Sequence, residues 1–103
     1  IIVATKKNNI VGWISFNNEA HEVYLDCLCV DPDHWKEGIA KKLIFAIFEH
    51  LPHTEKISLI TRKINAVAPS FYEHLGFKKT DFMIPEYSAQ DYQGYEWAQK
   101  THQ

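Results

Sequence analysis

This chain makes little use of the residues that cross-link or interrupt a protein. It has only two cysteines, Cys27 and Cys29, which rules out a disulfide framework, and their i, i+2 spacing in a strand-like run would strain a bridge between them. Two thiols are also too few for a zinc site, so the pair reads as free thiols buried in a reducing compartment. Glycine and proline, four of each, form no linker or low-complexity tract, and there is no internal repeat. No apolar run approaches a bilayer span and no basic leader precedes one, so a soluble, cytoplasmic protein without membrane contact is expected. A net charge of −2 lacks the basic excess that a nucleic-acid partner would require.

What is present suits one α/β domain spanning 1–103: hydrophobic residues make up 46% and aromatics 14%, enough for a single core. Ile1–Thr5 reads as a strand, Lys6–Asn9 as a hairpin turn, Ile10–Asn17 as its partner and Asn17–Ala20 as a second turn. His21–Val30 is a long strand, with Val23, Leu25, Cys27 and Cys29 alternating against Tyr24, Asp26, Leu28 and Val30. Both rows are mostly apolar, which predicts a sheet covered on both sides. Pro32 stops this strand. A helix is predicted from Glu37 or Gly38 to Leu51, because Ala40, Leu43, Ile44, Ile47, Phe48 and Leu51 form one stripe. Lys56–Arg62 alternates as a strand, and its place after a helix predicts parallel pairing with the strand ending at Val30. Asn65 can cap a further helix that carries Pro69 in its first turn and stops at Gly76, and Phe77–Tyr87 with Asp91–Lys100 read as a closing pair of strands.

The segment Val30–Ala40, VDPDHWKEGIA, joins a strand to a helix and therefore offers unpaired N–H donors and the positive end of a helix dipole to an anion. Lys36, Glu37, Gly38, Ile39, Ala40 and Lys41 read either as an ordinary strand-to-helix turn or as a pyrophosphate cradle of backbone N–H groups, aided by Lys36, Lys41 or Lys42 as long-range cations. Glu37 opposes that charge unless it turns to solvent.

The string V-x-P-x-x-W-x-x-G-I-A resembles the acyl-CoA-binding signature of the GCN5-related N-acetyltransferases, V-x-P-x-x-(Q/R)-x-x-G-x-(G/A), with Trp35 where Gln or Arg stands. Downstream, Asn65–Phe77, NAVAPSFYEHLGF, is similar to the family's second block, N-x(6)-Y-E-x-x-G-F. The resemblance implies a mixed, mostly antiparallel sheet with helices on both faces and acetyl-CoA as acyl donor. The backbone of Leu28, Cys29 and Val30 would pair with pantetheine, Asn65 would touch the cofactor, and Tyr72 would protonate the departing thiolate. A reference phenol near ~10 and thiol near ~8.5 make that last transfer nearly balanced.

Two positions where relatives often carry glutamate hold Tyr24 and Ile60, which leaves Asp26 as candidate base, with His21 and Glu22 in reserve. The acceptor would be a small-molecule or protein amine, attacked directly and without a covalent enzyme intermediate. A non-catalytic acetyl-CoA-binding module acting through a protein partner is the rival expectation. Because the sequence starts at IIVAT, the family's first strand and two helices are expected to be missing, leaving an apolar face that favours a homodimer.

Overall fold

A computed structural model describes residues 1–64 and 67–99. The strands are β1 (Ile2–Lys6), β2 (Asn9–Glu19), β3 (Glu22–Val30), β4 (Lys56–Arg62), β5 (Lys78–Thr80) and β6 (Tyr92–Ala98); the helices are α1 (Ile39–His50) and α2 (Val67–His74). The strands form one six-stranded sheet in the order β1-β2-β3-β4-β6-β5, antiparallel except for β3 beside β4. This is the mixed, mostly antiparallel α/β architecture expected from the sequence.

The first turn lies where the KKNN segment predicts it. Lys7 and Asn8 take φ of 51° and 69°, the left-handed pair that matches a two-residue loop to the twist of its strands. The second turn is displaced from the expected position. Asn17, Asn18 and Glu19 stay in the ladder against Tyr24, Val23 and Glu22, and the chain reverses at Ala20 and His21 with Ala20 at φ 55°.

The predicted alternation along β3 is broken by a bulge. Ser15 pairs with Cys27 and Phe16 with Leu25, so Asp26 is an extra residue with no partner in the register. The inward row is therefore Val23 and Leu25 before the bulge and Leu28 and Val30 after it, while Cys27 and Cys29 share the opposite face with Tyr24. Cys27 is half-buried and Cys29 exposed, so the thiols are free as expected but not both buried.

Helix α1 buries Ile39, Leu43, Ile44 and Ile47. Gly12 makes this approach possible: a β-carbon there would lie 3.1 Å from Ile39 Cγ2 and 3.3 Å from Leu43 Cδ1. Phe48 of α1 packs on Trp97 with ring centroids 4.9 Å apart, and Tyr72 of α2 meets Tyr95 at 6.1 Å. Trp97 and Tyr95 are two residues apart on β6, so both described helices lie on one face, whereas helices on both faces were expected. The topology explains this. The steps β3-α1-β4 and β4-α2-β5 move the same way across the sheet between parallel strands, and right-handed crossovers in one direction fall on one side.

The closing pair of strands is shorter than its sequence suggests. β5 pairs with β6 only over Lys78, Lys79 and Thr80. Gln93 Nε2 donates to the Thr80 carbonyl at 2.9 Å, and the following segment crosses above Gly94, where a β-carbon would stand 2.1 Å from the Phe82 carbonyl oxygen. The segment thus leaves the ladder and lies over the face that carries Tyr24, whose ring is 5.9 Å from Phe82.

Candidate functional site

The parallel pair β3–β4 is joined only at its start. Glu22, Val23 and Tyr24 pair with Lys56, Ile57 and Ser58, and the register stops there although β3 continues to Val30 and β4 to Arg62. Beyond Tyr24, β3 keeps β2 on one side and has no registered partner on the other, so Asp26 to Val30 present a strand edge to the gap. The sequence expectation placed Leu28, Cys29 and Val30 on such an edge.

At its carboxyl end the edge runs into a 3-10 turn, Pro32–Glu37, that leads directly into α1. Asp31 starts it: its N–H donates to the Val11 carbonyl at 2.8 Å and its carboxylate accepts from the Asp33 N–H at 3.0 Å. Gly38 ends it at φ 75°, ψ 17°, a left-handed conformation costly to any residue with a β-carbon. Nothing lies within 4 Å of a β-carbon built there, so glycine is required by conformation and the space beside it is open. Gly38 is also the N-cap of α1. No side chain caps the helix, and its carbonyl accepts from the Lys42 N–H at 3.1 Å. The amides of the first turn, Ile39 to Lys41, are thus at the free end of the helix dipole. Ile39 is buried, Ala40 half-buried and Lys41 exposed, the Lys41 ammonium lying 5.7 Å from the Phe45 ring centroid. The side chain of Lys36 and all of Asn65 lie outside the described residues.

Trp35 does not stand free in place of Gln or Arg. Its indole N–H donates to the Val30 carbonyl at 2.9 Å, occupying one of the acceptor positions that the edge offers. Glu37 is exposed to solvent and is also paired. Lys6 Nζ approaches Oε1 at 2.6 Å and His34 Nδ1 approaches Oε2 at 2.7 Å, and hydrogen bonds from Lys6 and then His34 hold the carboxyl below its ordinary range.

Tyr72 is buried between α2 and the sheet, with Phe71, Phe77 and Tyr95 around its ring at 5.3, 5.7 and 6.1 Å. The helix that carries it ends at Gly76, φ 99°, where the Phe77 N–H returns to the Tyr72 carbonyl at 3.0 Å. Burial pushes its phenol up to about 12, and the Cys27 thiol adds to this. Asp26, the candidate base, is exposed because the bulge lifts it out of the apolar row.

Residues separated widely in sequence complete the face. Ser58 Oγ donates to Glu96 Oε2 at 3.2 Å and Lys56 Nζ meets the same oxygen at 2.9 Å. A cleft of about 430 Å³ lies beside them, lined by Glu19, Glu22, Tyr24, Ser58 and Phe82 among others. Burial, followed by Tyr87, raises the Tyr24 phenol. None of this was legible in a single strand, since Ser58 and Glu96 meet only through the β4–β6 register.

A splayed parallel pair with a glycine-bounded helix start at its mouth defines the class of fold. Residues 1–77 match the acetyltransferase (GNAT) family, and the chain belongs to that family. It is 32% identical over 76 residues, 74% of its own length, to the UPF0157 protein YqkA of Bacillus subtilis (strain 168), and spans 22% of that protein. Among solved structures, the ribosomal-protein-S18-alanine N-acetyltransferase of Escherichia coli superposes with a TM-score of 0.77 at 20% identity, over 96% of this chain and 68% of that one. The PaiA N-acetyltransferase of Thermoplasma acidophilum, solved in complex with coenzyme A, gives 0.81 at 22% identity over 94% and 58%. No described helix is long and apolar enough to cross a membrane.

Proposed function

We propose that this domain binds acetyl-CoA and transfers its acetyl group to a primary amine by direct attack. The observation that carries this is the separation of β3 from β4 beyond Tyr24 and Ser58, which leaves a bare strand edge ending at an uncapped helix start. An extended, amide-bearing molecule with a phosphate at one end fits both features. The backbone of Leu28 offers the ladder and Val30 one remaining acceptor position, while Cys29 between them turns its carbonyl toward Gly12 of β2, and the first-turn amides of Ile39, Ala40 and Lys41 bind the charge.

In the transfer, the amine nitrogen bonds to the thioester carbonyl carbon, the C–S bond breaks and its electron pair goes to sulfur. Tyr72 is the group assigned to that sulfur. A phenol near 12 against a thiol near ~8.5 makes complete proton transfer uphill by on the order of 5 kcal/mol, so Tyr72 acts chiefly as a neutral hydrogen-bond donor to the leaving sulfur and solvent supplies the final proton. This replaces the balanced transfer expected from reference values. The amine must also lose a proton, and Asp26, exposed at the bulge on the edge of β3, takes it directly or through water.

Calorimetry with acetyl-CoA on the wild type and on Gly38→Asp, joined to thiol-release assays over a panel of amines, tests the proposal. Binding is expected to be lost in the variant, and thiol release to occur with at least one amine. Equal affinity in the two proteins would remove the cradle. Binding with no turnover on any amine would favour a non-catalytic module working through a protein partner.

A further inference from the structure

The thiols of Cys27 and Cys29 form a feature that the transfer reaction does not use. Their sulfurs are 3.5 Å apart on the face opposite Leu28 and Val30, on the part of β3 that has no registered partner in β4. Cys29 is exposed and Cys27 half-buried. The bulge at Asp26 is what puts them there: without it both would continue the row of Val23 and Leu25 and point into the core.

Three chemistries could use two thiols so placed. A disulfide needs the sulfurs at about 2.05 Å, and same-face residues two apart on a strand stand roughly 6.6 Å apart at Cα, near the upper limit for a bridge. Closing it means drawing the strand together against its ladder with β2. A zinc or similar ion needs three or four protein ligands, and no cluster of three candidate ligands occurs among the described residues. A soft centre that needs only two thiolates fits as the sulfurs stand. Two bonds of about 2.3 Å, the length of a zinc–thiolate bond, at an angle near ~100° span about 3.5 Å.

We propose that Cys27 and Cys29 form a bidentate site for trivalent organoarsenicals and chemically equivalent two-thiol electrophiles. The reaction is a condensation without a redox step. The two S–H groups and an arsenoxide, R–As=O, give R–As(S–Cys)₂ and one water; both S–H protons leave on the former oxo oxygen, and two As–S bonds replace the As=O bond. Exposed Cys29 makes the first bond. The Cys27 thiol is less acidic than usual because burial and its hydrogen bond with Cys29 hold its proton, but it is already in place for the second. Ring closure within one strand is intramolecular, so the pair should hold its ligand far more tightly than either thiol alone.

The test uses the reduced chain and phenylarsine oxide, with occupancy read by intact-mass spectrometry and free thiols counted by a chromogenic disulfide. One arsenical per chain, loss of both free thiols, retention in excess glutathione and release by dithiothreitol are expected. Cys27→Ser and Cys29→Ser should each lose retention by roughly a hundredfold or more. Denaturant should also weaken retention by wild type at least about tenfold, since the strand sets the separation, and this arm needs no variant to fold. Equal retention by wild type and either single variant overturns the site, as does retention undiminished by unfolding or two arsenicals per chain.

Discussion

Lys6 Nζ lies 2.6 Å from Glu37 Oε1, so the first hairpin is tied to the last residue of the turn that precedes α1. The pair compensates a carboxylate that would otherwise oppose an anion at Gly38. Lys6→Ala should therefore weaken acetyl-CoA binding about two- to fivefold, an exposed and salt-screened effect, while Glu37→Gln should leave it equal or slightly tighter. The carboxyl of Glu37 is held below its ordinary 4.5, so its contribution to the tie is present above that pH and is lost as pH falls through its lower folded value. Calorimetry at two salt concentrations checks the binding. An unchanged affinity in Lys6→Ala would show that the Glu37 charge is not felt at the cradle.

Gly94 tests the path of the segment after β5. Alanine there would place a β-carbon 2.1 Å from the backbone oxygen of Phe82, a contact no side-chain rotation relieves. The segment must lift away from the sheet, removing the Phe82 ring from Tyr24. A loss of roughly 1–3 kcal/mol in stability is expected from such overpacking, seen as a lower unfolding midpoint. If Gly94→Ala is as stable as wild type, the segment does not press on β6 as described.

The sequence specifies some parts of this structure directly and others only through their partners. Lys56–Arg62 is legible to the residue because its alternation is bounded by turn residues on one side and polar residues on the other. Gly38 and Gly76 are legible because each ends a periodic segment where a left-handed φ is needed. The bulge at Asp26 is not, since it is defined by which residue of β2 faces which residue of β3, and its effect is to exchange the faces of Cys27 and Leu28. The same holds for Lys6 with Glu37 and for Ser58 with Glu96, pairs 31 and 38 residues apart. The helices share one face because of strand order, which no local pattern encodes.

Tyr72→Phe should keep the ring contacts and remove the hydroxyl. If the hydroxyl acts on sulfur as charge develops, turnover falls by roughly ten- to a hundredfold while acetyl-CoA affinity hardly moves. A second signature lies in stability. With a folded pKa near 12 against an ordinary 10.0, the native state holds a proton that the unfolded chain loses between those values, so wild type loses on the order of 2–3 kcal/mol as pH rises through that window. The variant lacks this loss, and its unfolding curves above pH ~10 should be correspondingly flatter. Identical pH dependence in the two proteins would count against a buried neutral phenol.

Asp26 differs from the other candidates because folding asks little of it. It is exposed and has no partner in the β2–β3 register, so its carboxylate is free to meet an incoming amine at the edge of β3. Asp26→Asn keeps size and hydrogen-bonding capacity while removing basicity, and an exposed change of this kind should alter stability by no more than about 0.5 kcal/mol. Turnover should fall roughly ten- to a thousandfold and recover in part at high pH, where the amine loses its proton unaided. The measurement is a thiol-release rate from pH 6 to 9 on an amine that the panel has shown to be accepted, with the unfolding midpoint read in parallel. Full activity across that range would move the proton acceptor to Glu22, which lines the neighbouring cleft, to His21, or to ordered water, and leave Asp26 as the residue that turns β3.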